Sequence, residues 1–140
     1  KARHWIQRQE WETAKNPDGL NRASYDFPRQ LALLEERGRQ QLIDGSEEIA
    51  PGVTLVKTGG HTCGSQIVEI DSAHGYFIYA GDIMPTLFHV SPAVTSAYDV
   101  CREDTFKAKQ YISARLKEKN GTLLLNHDPR HWELPASTLK

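Results

Sequence analysis

Three short apolar runs in this chain each lead into a residue able to bind a cation. Val53 to Thr58 runs through Gly59-Gly60 into His61, Tyr76 to Ala80 runs through Gly81 into Asp82, and Thr122 to Leu125 runs through Asn126 into His127. The runs have the length of strands, and β-branched and aromatic residues dominate the first two. If they are neighbours in one sheet, their ends share an edge, and a rigid sheet brings together residues that are far apart in sequence. His offers a neutral imidazole nitrogen and Asp a carboxylate able to bridge two cations, a donor set suited to zinc or another borderline divalent ion. The glycines before His61 and Asp82 fit that reading, because a backbone without Cβ turns sharply and lets a metal or substrate approach. Taken singly, each residue has a plainer reading: a His after Gly is often a loop histidine, and an Asp after Gly often caps a turn.

The rest of the chain supplies the scaffold. Gln66 to Ile70 reads as a further strand, joined to Tyr76–Ala80 through the polar Asp71–Gly75 link as a hairpin. Between Asp104 and Lys119, Ala108, Tyr111, Ile112 and Leu116 recur at helical spacing, and Asn120-Gly121 supplies a left-handed stop. Leu31 and Leu34 predict a short amphipathic helix from Pro28 to about Arg37, ended by Gly38, with Glu35-Glu36-Arg37 on its solvated face. His4 to Arg8 predicts a strand, and the breakers Asn16-Pro17-Asp18-Gly19 a loop.

With 140 residues there is room for one compact unit, or part of one. Seventeen basic residues against 18 acidic leave a formal charge of −1, without the field that draws a chain to nucleic acid or an anionic membrane. No apolar run approaches the ~18 residues of a spanning helix. Two cysteines, Cys63 and Cys101, form no Cys-x-x-Cys pair, which argues against a disulfide framework or a zinc ribbon and for a reducing, cytoplasmic compartment. Cys63 is expected to be a small buried thiol. His4, His74 and His131 are expected at the surface, and Trp5, Trp11 and Trp132 either pack or line a pocket. His89, in the stretch after Asp82, is a candidate substrate contact.

Thr58-Gly59-Gly60-His61-Thr62-Cys63-Gly64, Tyr79-Ala80-Gly81-Asp82 and Asn126-His127-Asp128-Pro129 resemble, in order, the later metal motifs of the metallo-β-lactamase superfamily. Pro51-Gly52-Val53 and Gly81-Asp82-Ile83-Met84-Pro85-Thr86 resemble its branch containing quorum-quenching lactonases. The resemblance implies an α+β fold of αββα sandwich architecture, of which residues 1–140 resemble the C-terminal half. The family's opening His-x-His-x-Asp-His motif has no counterpart here, so the acid that protonates the leaving group is expected in the absent N-terminal half. By the same resemblance His61 ligates one metal, Asp82 bridges two and His127 ligates the other. The metals are two divalent ions, zinc first, with manganese or iron as alternatives. The implied activity is hydrolysis of a lactone or related ester through a metal-bound hydroxide, with that small molecule and the missing half as partners, and neither nucleic acid nor membrane. Two alternatives stand beside it: a nuclease or phosphoesterase of the same fold, and an inactive fragment that needs its other half. The chain departs from the family at Gly59 and Cys63, where Pro is usual, and at Ser65, where these lactonases often have His. Pro85 stands where some place a substrate-contacting Tyr, so no phenol is carried over to that position.

Overall fold

The computed structural model describes residues 2–19 and 22–139. In chain order the elements are β1 (His4–Gln7), α1 (Arg8–Lys15), α2 (Phe27–Gln30), α3 (Ala32–Glu36), β2 (Gln40–Ile43), β3 (Glu47–Ala50), β4 (Val53–Lys57), β5 (Gln66–Ser72), β6 (Gly75–Tyr79), α4 (Arg102–Lys119), β7 (Thr122–Leu124) and β8 (Glu133–Pro135). β1 and β2 form a small parallel pair, and β3 to β8 form one six-stranded sheet in sequence order. Neighbours in the large sheet are antiparallel except β6 and β7, which run parallel. The parallel step requires a crossover, and α4 makes it.

The alternation of residues along each strand decides the layers. Val56, Ile67, Ile78, Leu123 and Leu134 fall on one face by register, and Ala108, Ile112 and Leu116 of α4 pack onto it to make the core. Thr105, Ala108, Lys109, Ile112 and Leu116 form one buried stripe at helical spacing. Glu103 and Asp104 in the first turn and Lys117 and Lys119 in the last complement the helix dipole, and Asn120, at φ +48°, ends the helix in the left-handed region. The opposite sheet face carries the buried Leu55 together with Val53, Val68, Ile70, Phe77, Tyr79 and Leu124, which are partly covered at best. Among the described residues no helix is long and apolar enough to cross a membrane.

Several sequence expectations are corrected. The helix expected over 28–37 is two short pieces, because Leu31 at φ −119° and ψ −25° ends α2 and caps α3. Tyr111 lies at the rim of the core rather than in it, and its hydroxyl donates to Glu69 Oε1 at 2.6 Å. Cys63 is exposed, not buried: Gly64, the next residue, makes the loop's close approach to α1, donating its N–H to Glu10 Oε2 at 3.1 Å, and Cys63 sits on the outside of that turn. Trp11 packs, edge-on to Phe27 with ring centroids 5.0 Å apart, whereas Trp132 is exposed. His4, His74 and His131 are at the surface as expected.

Candidate metal centre

Strand direction brings the three singled-out residues to one edge. β4 is antiparallel to β5 and β5 to β6, so β4 runs the same way as β6, and β7 runs parallel to β6. All three strands therefore deliver their C-terminal ends to the same edge of the sheet: β4 delivers His61, β6 delivers Asp82 and β7 delivers His127. The loops are then tied to one another. His127 N–H donates to Pro85 O at 2.9 Å, and Leu87 N–H to Asp128 Oδ2 at 3.0 Å. Asp128 also accepts from the backbone N–H groups of Arg130 and His131, and these bonds, Leu87's foremost, hold its carboxyl down to about 2. The His61 loop is pinned to the segment entering α4, since Val100 and Cys101 donate to the carbonyls of His61 and Gly60 at 3.3 and 3.0 Å. Gly60 has φ +96°, and a Cβ there would lie 2.8 Å from the backbone nitrogen of Thr105. Only glycine permits that contact between loop and helix.

The side chains converge on the Asp82 carboxylate. His61 Nε2 lies 3.7 Å from Asp82 Oδ2, and His127 Nε2 lies 3.2 Å from Asp82 Oδ1. Asn126 donates its amide to the same Oδ1 at 2.8 Å. Exposure rises across the three, from 25% of the His61 side chain through 42% for Asp82 to 66% for His127. The histidines thus address different carboxylate oxygens. Among the described residues no three His, Cys, Asp or Glu side chains gather around a single point as a complete metal cage; instead there are two donor pairs, one on each oxygen. Two ligands on one tetrahedral metal, each about 2.1 Å from it, stand about 3.4 Å apart. The observed 3.7 and 3.2 Å bracket that spacing, and 3.7 Å is too long for a hydrogen bond. Each pair therefore has the spacing of two ligands on one divalent ion.

A cavity of about 610 Å³ opens over these groups, lined among others by Tyr25, Thr62, His89, Tyr98 and Asp99. His89, the candidate substrate contact, does line it, with Nδ1 2.8 Å from Thr86 Oγ1. Burial, followed by the Lys109 ammonium, lowers His89 from the ordinary histidine range, so the neutral ring is favoured. Tyr25 was not legible as a site residue. Its hydroxyl donates to Glu10 Oε1 at 2.5 Å, and Glu10 Oε2 accepts from Thr62 Oγ1 at 2.6 Å, so α1 braces the residue next to His61. Burial first and Glu10 second raise the Tyr25 phenol above its ordinary range, keeping it protonated. Asp99 was missed as well: its Oδ1 lies 3.0 Å from His61 Nδ1, and its side chain is 1% exposed.

A mixed sheet with a helix packed on one face is also the fold of several solved structures. A probable metal-dependent hydrolase from Staphylococcus aureus matches with a TM-score of 0.86 at 23% identity, over 94% of this chain and 47% of that one. An N-acyl homoserine lactone hydrolase, solved with the product N-hexanoyl-L-homoserine at its catalytic metal centre, matches with a TM-score of 0.74 at 23% identity, over 89% and 46%. A hydrolase of the beta-lactamase superfamily matches with a TM-score of 0.78 at 17% identity, over 94% and 50%. The chain spans about half the length of each of these structures. No protein-family profile and no curated protein sequence matches it.

Proposed function

We propose that this chain is the C-terminal half of a dinuclear metallohydrolase that opens a lactone or cleaves a related ester. The observation that carries the reading is the division of the Asp82 carboxylate, one oxygen facing His61 Nε2 and the other His127 Nε2, at the mouth of a cavity of about 610 Å³. That volume lies within the range of small-molecule sites. Similarity to hydrolases, one of which holds a lactone-derived product at a catalytic metal centre, supports the same direction. A divalent pair, zinc first, would supply Lewis-acid polarisation of a carbonyl and a water nucleophile near neutral pH when bound.

This chain's own groups have defined parts. His61 and His127 would offer imidazole nitrogens to the metals, and Asp82, its Oδ1 steadied by Asn126, would offer them its carboxylate. His89, favoured neutral, lines the cavity as a polar contact for an acyl or alkoxy oxygen, while Tyr25, kept protonated by burial and then by Glu10, which takes its O–H, lines it with a hydroxyl oxygen left only to accept. Pro85 also lines it and brings no phenol of its own, so contact with the substrate falls to these other groups.

Each side of Asp82 has two donors from this chain, and a catalytic zinc takes about three protein ligands besides water. The balance is expected from an N-terminal half, whose layer would also cover the half-exposed sheet face bearing Phe77 and Tyr79. Both cysteines are free, consistent with a reducing, cytoplasmic setting. The test is to load the complete protein with zinc and follow acid release from γ-butyrolactones, N-acyl homoserine lactones and open-chain esters, with a phosphodiester as comparison. Metal-dependent hydrolysis of the lactones or esters is expected. Turnover of the phosphodiester alone, or none with two zinc ions bound, contradicts the proposal.

A further inference from the structure

We propose that Asp99 is a positioning residue that fixes the tautomer and ring orientation of His61, taking the Nδ1–H so that the bare Nε2 faces Asp82. The inference rests on the metal-site reading of His61 and adds the group that prepares that ligand.

The geometry is specific. Asp99 Oδ1 lies 3.0 Å from His61 Nδ1, while Oδ2 accepts the Ser96 N–H at 3.1 Å. A carboxylate only accepts, so the proton between Asp99 and His61 belongs to the imidazole and Nε2 carries the lone pair. The Asp99 side chain is 1% exposed against 25% for that of His61, so water does not compete for this bond as it does on the cavity side. The segment carrying Asp99 is itself held in place. Asp99 N–H donates to Ser96 O at 3.2 Å, Val100 N–H donates to His61 O at 3.3 Å, and the fully buried Lys109 donates its ammonium to Val94 O. Burial pushes Lys109 down from its ordinary range and the Asp99 charge pulls it back, which places a balancing cation near the carboxylate inside the protein. A carboxylate on the far nitrogen of a ligating imidazole sets its tautomer and raises its basicity, and losing such a partner typically weakens metal binding by about 10- to 100-fold.

Asp99→Asn gives a sharp test because the side chains are isosteric. Asn has one acceptor oxygen, and Ser96 N–H already claims the acceptor on the Oδ2 side. Its amide then meets His61 Nδ1 as a donor, and the ring proton moves to Nε2, directly on the cation side. The experiment is a long-range proton–nitrogen correlation spectrum of the histidine rings in the metal-free complete protein, at a pH where they are neutral, with His61 assigned from His61→Gln. Zinc affinity is then measured by competition with a chromophoric chelator. The expected result is an Nδ1–H tautomer for His61 in the wild type, an Nε2–H tautomer in Asp99→Asn, and zinc binding weakened about 10- to 100-fold in the variant. An Nε2–H tautomer in the wild type overturns the proposal without recourse to any variant. So does an Asp99→Asn protein that keeps the wild-type tautomer and zinc affinity. If the wild type binds no zinc, the metal-site reading fails, and the tautomer spectra alone decide the role of Asp99.

Discussion

Replacing Asp82 by Ala separates metal binding from folding. The Asp82 side chain is 42% exposed, and the hydrogen bond it receives from Asn126 is the main protein contact that would be lost outright. A hydrogen bond of that kind contributes about 0.5 to 1.5 kcal/mol, so the metal-free variant should lose about 1 kcal/mol or less. Loaded with zinc, the two proteins should diverge. A ligand that binds only the native state at 100 times its Kd adds about 2.7 kcal/mol for each site, so with Asp82 bridging two positions as proposed the wild type should gain about 5 kcal/mol that Asp82→Ala does not. Urea unfolding of the complete protein, with and without zinc, reads both numbers, and metal analysis after gel filtration counts the ions. Hydrolysis should vanish with the metals. The same zinc-dependent gain in Asp82→Ala as in the wild type would refute the bridging role. A metal-free variant that fails to fold would refute the claim that Asp82 is dispensable to the fold.

Other perturbations should have different signatures. Ile112→Ala empties a fully buried position in the core under the sheet and should cost about 2 to 5 kcal/mol in urea unfolding, with zinc affinity preserved in the folded fraction. Gly60→Ala puts a Cβ against the Thr105 backbone at positive φ; it should destabilise the protein and, by displacing His61, weaken zinc binding as well, so that unchanged binding would contradict the role given to that close approach. Asp128 is held at about 2, below the ordinary 3.8, so it stabilises the native state above the ordinary value and that contribution is lost as pH falls through about 2. Asp128→Ala should therefore be less stable than the wild type at neutral pH, with the gap closing in acid; a gap constant with pH would count against the three backbone hydrogen bonds as its source.

The parts of this molecule that were legible in its sequence are those in which a periodicity meets a stop signal. The Val53, Gln66, Tyr76 and Thr122 runs and the 104–119 helix carry such signals, and their order alone supports a sheet edge bearing His61, Asp82 and His127. Other elements lack them. Arg8–Lys15 is a helix that buries Trp11 and Ala14, too sparse an apolar pattern to announce itself. Glu47–Ala50 and Glu133–Pro135 are edge strands whose charged and proline residues are what keeps an open edge from pairing, and those same residues hide them from a strand pattern. Gln40–Ile43 is held by pairing with His4–Gln7, more than 30 residues away. The support of the site was equally hidden. Glu10, Tyr25 and Asp99 reach the His61 loop through tertiary hydrogen bonds spanning 15 to 54 residues, and no local pattern encodes such a bond.

In the proposed site Asp82 divides two metal positions between His61 and His127. Anomalous diffraction at the zinc edge, from crystals of the complete protein grown with zinc, tests it most directly. Two peaks are expected flanking the Asp82 carboxylate, one about 2.0 to 2.2 Å from His61 Nε2 and the other the same distance from His127 Nε2. A single peak held by only one of the histidines, or zinc bound away from Asp82, would contradict it.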